Sequence, residues 1–393
     1  MINIKPYLHC LQYIRHYWDK ITCYRPKDKQ LHFGLPKRFV APNANIIFKN
    51  DQFYWDTYFI ILGLVTSKRI SLAKGMVENL CYLFNRFGII PMRNRYYNLG
   101  TSQIPFLTSM IVEIFKVDNN LPWLQKTCKV AELELKNYWM NKNLTEKHIV
   151  YKGLSRYCDH YITHLGAEHE SGWDMTSRFN DRCLDYLPVD LNTCLYKYEA
   201  DLSRLYAKLK KYNKSNYYRK QANKRKRNIL SLMWNDRKKF FFDYDKRIRQ
   251  QSKFLSVAGF YPLWAKLATL KQAHLIRDEI LPKFEYDGGI ANTQSKGLSG
   301  EIKQHDYPNG WPGQQWIVIK GLLNYGFKTD AERIAKKWLD MNAKIFSRTF
   351  KLWEKYDVVN CATGVYNPDR YVTQSGFAWT NAVFTRLIHE FSE

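Results

Sequence analysis

An all-α fold is predicted for this chain of 393 residues. Three observations predict it. Apolar residues recur at helical steps along most of the length, strand signals are few, and no Pro/Gly/Ser linker interrupts the pattern. One domain covering 1–393 is therefore expected.

The periodicity is clearest at two places. Leu191, Leu195, Tyr198, Leu202, Leu205 and Leu209 recur every three or four residues, which puts them on one helix face. Ala331, Ile334, Ala335, Trp338, Met341 and Ile345 do the same. The second helix is expected to open with a capping box, Thr329-Asp330-Ala331-Glu332, after Gly326 stops the helix before it.

Taken in order, helices are predicted near 5–19, 53–66, 69–87, 103–117, 120–140, 190–211, 215–233, 257–267, 270–282, 311–325, 329–347 and 376–391. Twelve helices in about six consecutive hairpins satisfy an (α/α)6 barrel. The count alone fits an irregular bundle or a solenoid equally well. A short β-hairpin is predicted at Lys239 to Asp245, after Trp234-Asn235-Asp236, and Phe350 to Tyr356 reads as extended. The longest irregular stretches are about 141–190, 284–310 and 348–375. Long loops in a compact domain usually carry function.

Composition narrows the class. Lys and Arg number 61 against 36 Asp and Glu, an excess that favours an anionic neighbour. The densest basic run, Lys208 to Arg227, has no nucleic-acid-binding module around it, so it reads as a solvated outer helix face. None of the eight cysteines forms a C-x-x-C pair, which argues against structural zinc and for free buried thiols. The start of the sequence carries no apolar h-region, and the longest apolar run, Tyr58 to Val65, is too short to span a bilayer. A soluble protein is expected, cytoplasmic rather than periplasmic.

The chemistry centres on Glu170-Ser171-Gly172-Trp173-Asp174-Met175-Thr176-Ser177-Arg178-Phe179. An acid beside a tryptophan, just after a glycine, suits carbohydrate chemistry. An indole face can support a sugar ring, and apolar cover raises a carboxyl pKa toward the range a general acid needs. The same residues also read as a helix start capped by Ser171 or Asp174. Three further stretches share the aromatic-acid character: Phe53-Tyr54-Trp55-Asp56-Thr57-Tyr58-Phe59, Asp306-Tyr307-Pro308-Asn309-Gly310-Trp311 and Leu352-Trp353-Glu354-Lys355-Tyr356-Asp357.

With Ser375-Gly376-Phe377-Ala378-Trp379-Thr380-Asn381, these stretches resemble, in wording and order, the trehalases of glycoside hydrolase family 37, over roughly residues 40–392. The resemblance decides for the (α/α)6 barrel. It implies inverting hydrolysis of an α-glucoside, with Asp174 as general acid and Glu354 as general base, about 6.5–9.5 Å apart. It implies substrate contacts at Trp55, Asp56, Ser102, Gln103, Gly172, Asn309 and Trp311, and a Gly-rich loop at Gly288-Gly289-Ile290 near the mouth. It implies a saccharide substrate and no metal or cofactor.

Departures from the family pattern are specific. Thr101 stands for an arginine before Ser102-Gln103, Phe48 for another arginine, and Met92 for a sugar-binding asparagine. The family's Gln-Trp-Asp reads Gln304-His305-Asp306, and a lid acid becomes Arg370 or shifts to Asp369. Arg93, Arg156 and Arg370 are candidate replacements, and arginine also forks carboxylates and phosphates. Two alternatives to trehalose hydrolysis follow: an anionic glucoside such as glucosylglycerate as substrate, or a barrel that binds carbohydrate or an anionic polymer without cleaving it. If the arginines find partners within the protein, Asp306 and Asp369 are the expected ones.

Overall fold

A computed structural model describes residues 2–141, 143, 148–294, 303–364 and 371–392. It is mostly helical. The helices are α1 (Leu8–Ile21), α2 (Tyr54–Thr66), α3 (Ile70–Phe87), α4 (Leu107–Asp118), α5 (Leu121–Glu134), α6 (His164–Ser171), α7 (Val189–Lys208), α8 (Tyr212–Met233), α9 (Tyr261–Trp264), α10 (Leu270–Leu275), α11 (Pro312–Asn324), α12 (Lys328–Thr349) and α13 (Ala378–Ser392).

Burial follows residue type. Every residue of α2 from Tyr54 to Leu64 is buried, as a helix apolar on all sides must be. By contrast, α8 is basic and largely exposed, as its sequence predicts. Its one deeply buried cation, Arg225, pairs with Glu199 at 2.9 Å. The neighbour order is regular. α2 packs on α4, α4 on α7, α7 on α9, α9 on α11, α11 on α13, and α13 on α2. α3, α5, α8 and α12 each pack back on the helix before them, and α1 packs on α13. No helix among the described residues is long and apolar enough to cross a membrane. All eight cysteines are free, six of them buried.

Several boundaries differ from the sequence reading. The expected capping box at Thr329 is not made. α12 begins at Lys328, with Phe327 at its N-cap and no side-chain cap bond. The Phe327 ring packs edge-on against His274 at 4.9 Å and under Arg277, which fixes the N-cap two residues earlier than expected. The box forms instead on α10, between Thr269 and Gln272. The predicted helix 257–267 shrinks to a 3-10 turn (Val257–Phe260) followed by α9. The predicted helix 270–282 is α10 followed by a π turn (Ile276–Ile280) and a 3-10 turn (Leu281–Lys283) that contains a proline.

α6 arises inside a stretch expected to be irregular. Thr163 caps it by accepting from the Gly166 amide at 2.9 Å, and Gly172 ends it in the left-handed region at φ 73°. Residues 170–179 are therefore a helix end and loop, not a helix start. The hairpin near 234–245 is present, with Trp234–Asn235 paired to Phe240–Phe241. Extended structure near 350–356 consists of a bridge from Trp353 to Ser375 and the strand Tyr356–Asp357, which pairs with Asn309–Gly310 and Ala362–Thr363.

Candidate active site

A cavity of about 410 Å³ opens where the N-terminal ends of α2, α11 and α13 meet the loop after α6 and the segment 353–354. Of the residues the sequence singled out, Trp55, Asp56, Gln103, Gly172, Asp174, Trp311 and Glu354 all line it. Its size and its aromatic walls, with a few convergent polar groups, are those of a small-ligand site.

Asp174 is held by a rigid loop. Arg178 is fully buried and forks two carboxylates, Asp190 at 2.7 and 2.8 Å and Asp243 at 2.7 Å, while its guanidinium lies over the Trp173 ring at 4.8 Å. Asp306 accepts from the Thr176 hydroxyl at 2.9 Å and the Ser177 amide at 3.0 Å, and Glu168 accepts from the Thr176 amide at 3.0 Å. Gln304 donates its side-chain amide to the Asp174 backbone carbonyl. Gly172 is needed for two reasons. Its φ is 73°, and a methyl group there would stand 3.1 Å from the Trp55 ring.

Burial, reinforced by the nearby Glu354 charge, pushes the Asp174 carboxyl up to about 6, against the pull of His169. Asp56 is raised further, to about 8, by burial first and then by Glu354. Three carboxyls thus share one desolvated space, and at neutral pH Asp56 carries its proton. The unfolded chain ionises Asp56 near 3.8. Between roughly pH 4 and 8 the folded state therefore binds the extra proton, and stability falls as pH rises through that window. Asp56→Asn removes this dependence. Its melting temperature should gain on the wild type from pH 4 to 8, as thermal scans across that range will check.

Glu354 is fixed from both sides. Its amide donates to the Gln374 carbonyl at 2.9 Å, and its own carbonyl accepts from the Trp379 indole at 3.2 Å. The carboxylate accepts from the Tyr371 hydroxyl at 2.7 Å and from the Lys355 ammonium at 3.3 Å. Lys355 is itself buried between the Trp311 ring, 5.0 Å away, and the Tyr371 ring, 5.1 Å away. His305 stacks flat on Trp311 at 4.1 Å. Burial, with Lys355 nearby, holds its imidazole well below the ordinary pKa, so it is neutral.

Three expected contacts lie away from the cavity lining. The Ser102 hydroxyl donates to the Ile90 carbonyl at 2.7 Å, and Asn309 sits in a strand with its amide on the Gln304 carbonyl at 3.2 Å. Arg156 donates to the Leu184 carbonyl at 3.4 Å. Gly289 and Ile290 form a strand against Glu285–Tyr286, also outside the lining. Arg370 and Asp369 lie outside the described residues.

Phe48, Met92 and Arg93 do line the cavity, whereas Thr101 does not. Arg93 does not pair with Asp306. Its counter-charge is the fully buried Asp51, at 3.1 Å, which also takes Arg95 at 2.6 Å and His32 at 2.8 Å. The sequence reading missed His169 and Tyr371. His169 had a signal, five residues before Asp174 on the same segment. Tyr371 had none.

Paired carboxyls in one aromatic cavity are the arrangement that glycoside hydrolysis uses. The chain belongs to the trehalase family, whose profile matches residues 13–165 and 159–392. It is 31% identical to the cytosolic neutral trehalase of Beauveria bassiana over 89% of this chain and 58% of that one. It is also 31% identical to the periplasmic trehalase of Salmonella dublin, over 90% of this chain and 68% of that one. Among solved structures, the neutral trehalase of Saccharomyces cerevisiae superposes with a TM-score of 0.80 at 29% identity, covering 90% of this chain and 74% of the other. The chain spans somewhat less than two thirds of the fungal relatives it matches.

Proposed function

We propose that this chain is an inverting glycosidase, with α,α-trehalose as its first substrate, built on an (α/α)6 barrel. The observation that carries the reading is the pairing of Asp174, raised to about 6, with Glu354 in one desolvated cavity. The barrel reading rests on the neighbour order, which runs through α2, α4, α7, α9, α11 and α13 and returns to its start. A cytoplasmic location is proposed from the sequence.

In this mechanism Asp174 protonates the glycosidic oxygen as the C1–O bond breaks. Glu354 takes a proton from a water that attacks C1 on the opposite face. Lys355 and Tyr371 fix the base's orientation. Trp55 offers aromatic surface to the sugar, Trp311 walls the cavity beneath His305, and protonated Asp56 can donate to a sugar hydroxyl. The required separation of the two carboxyls is about 6.5–9.5 Å, with room for the water. Arg93 shares Asp51 with Arg95, so a glucoside carrying an anionic group stays the second substrate reading.

The test is time-resolved NMR on trehalose. Inversion at one C1 gives equal α- and β-glucose as the first-formed products. No hydrolysis, or α-glucose alone at early times, would overturn the reading. A panel that includes glucosylglycerate ranks the substrates by kcat/KM, and trehalose is expected to lead.

A further inference from the structure

A second cavity, of about 570 Å³, lies among the same helices at later turns. Where the candidate active site gathers the N-terminal ends of α2, α11 and α13, this one is lined by Tyr58 of α2, Glu113 of α4, Lys197 of α7 and Lys320 of α11, together with Trp264 and Lys266 at the end of α9. The two cavities share no residue.

Its charge is one-sided. Lys116, Lys197, Arg204, Arg219, Lys266 and Lys320 line it, against Glu113 as the only lining carboxylate. Arg386 stands behind, over Trp316. Two further carboxylates serve the cluster: Asp201 on Lys197 and Arg204, and Glu390 on Lys320 and Arg386. Seven cations thus face three carboxylates. Among the described residues, Arg219 and Lys266 have no ion-pair partner, and Arg219 donates to Asn216 at 3.1 Å.

Three of the cations are held against indole rings. Lys197 sits 5.1 Å over Trp264. Lys320 and Arg386 sit 5.8 and 5.2 Å over Trp316. Both indoles donate to the same Tyr58 hydroxyl, each at 3.3 Å, which ties the two walls together. A cleft of one charge sign between low-dielectric walls focuses its field on a counter-ion. Arginine and lysine are the side chains that take phosphate. Ser109 and Asn223, also in the lining, supply neutral groups suited to hydroxyls.

We propose that this second cavity binds a small phosphate-bearing metabolite of sugar-monophosphate size. The volume is in the range of small-ligand sites and exceeds what a bare phosphate needs.

The experiment is calorimetric titration of the full chain with glucose 6-phosphate at low salt, with glucose and inorganic phosphate as comparisons. Saturable binding of glucose 6-phosphate is expected, tighter than both inorganic phosphate and glucose. The double variant Arg219→Glu/Lys266→Glu should weaken it by about tenfold or more, as loss of paired charges at an interface does. Lys116→Glu, on a different helix, should weaken it as well. All three side chains are exposed, so circular dichroism should be unchanged. Absence of saturable binding, equal affinity for inorganic phosphate, or unaltered affinity in both charge variants overturns the proposal. Because heat of binding is the readout, the outcome is independent of trehalose turnover.

Discussion

Asp174→Asn should lower kcat on trehalose by about 10²–10⁴-fold, the usual contribution of a general acid, while leaving the fold unchanged by circular dichroism. The asparagine keeps the shape and removes the proton. The thermal readout separates chemistry from damage. The carboxyl's pKa rises from 3.8 unfolded to about 6 folded, so ionising it at pH 7 costs the native state stability. The variant escapes that cost, and its melting temperature at pH 7 should equal or exceed that of the wild type. Glu354→Gln should lower kcat similarly. Unchanged turnover in either variant would sink the assignment of acid and base.

Arg178→Met should be the most destabilising single change near the site. It leaves Asp190 and Asp243 buried without their counter-charge, and breaking a buried pair this way costs about 3–5 kcal/mol. Lysine cannot fork two carboxylates at once, so Arg178→Lys should recover only part of the loss. Denaturant titration measures both variants. Adding Asp190→Asn and Asp243→Asn to the methionine variant should restore some stability, because the stranded charges are then gone. A loss below about 1 kcal/mol in Arg178→Met, the scale of an exposed pair, would show that the buried network does not carry the loop.

The helices were legible because their apolar faces are long. α7 and α12 announce themselves over some twenty residues, and α2 by its uninterrupted apolar run. α6 was not legible. Its eight residues, HLGAEHES, carry no apolar stripe, and it is set by a threonine cap and a glycine stop. Phe327 moved the start of α12 through a tertiary contact that no local pattern contains.

In the site, Trp55-Asp56, Gly172-Trp173-Asp174 and Glu354 were readable because each lies within a run of consecutive residues of distinctive type. The cradle around Glu354 was not. Lys355 is adjacent in sequence, but its burial depends on Trp311 and Tyr371 arriving from elsewhere. Asp51 was invisible for the same reason. Its three partners come from positions 32, 93 and 95.

The close fit of α2 against α13 bears on how the chain is made. A methyl group built on Gly63 would stand only 2.4 Å from the Ala382 backbone, so these two helices touch main chain to main chain. They are separated by roughly three hundred residues of sequence. At synthesis rates of about 5–20 residues per second, α2 would wait on the order of 15–60 s for its partner. Throughout that interval its seam with α13 is uncovered, on the most apolar helix of the fold. Such long-range closure slows folding and leaves intermediates open to aggregation. Nascent chains stalled before Ala378 should therefore be captured by holdase chaperones, and release should coincide with emergence of the last helix.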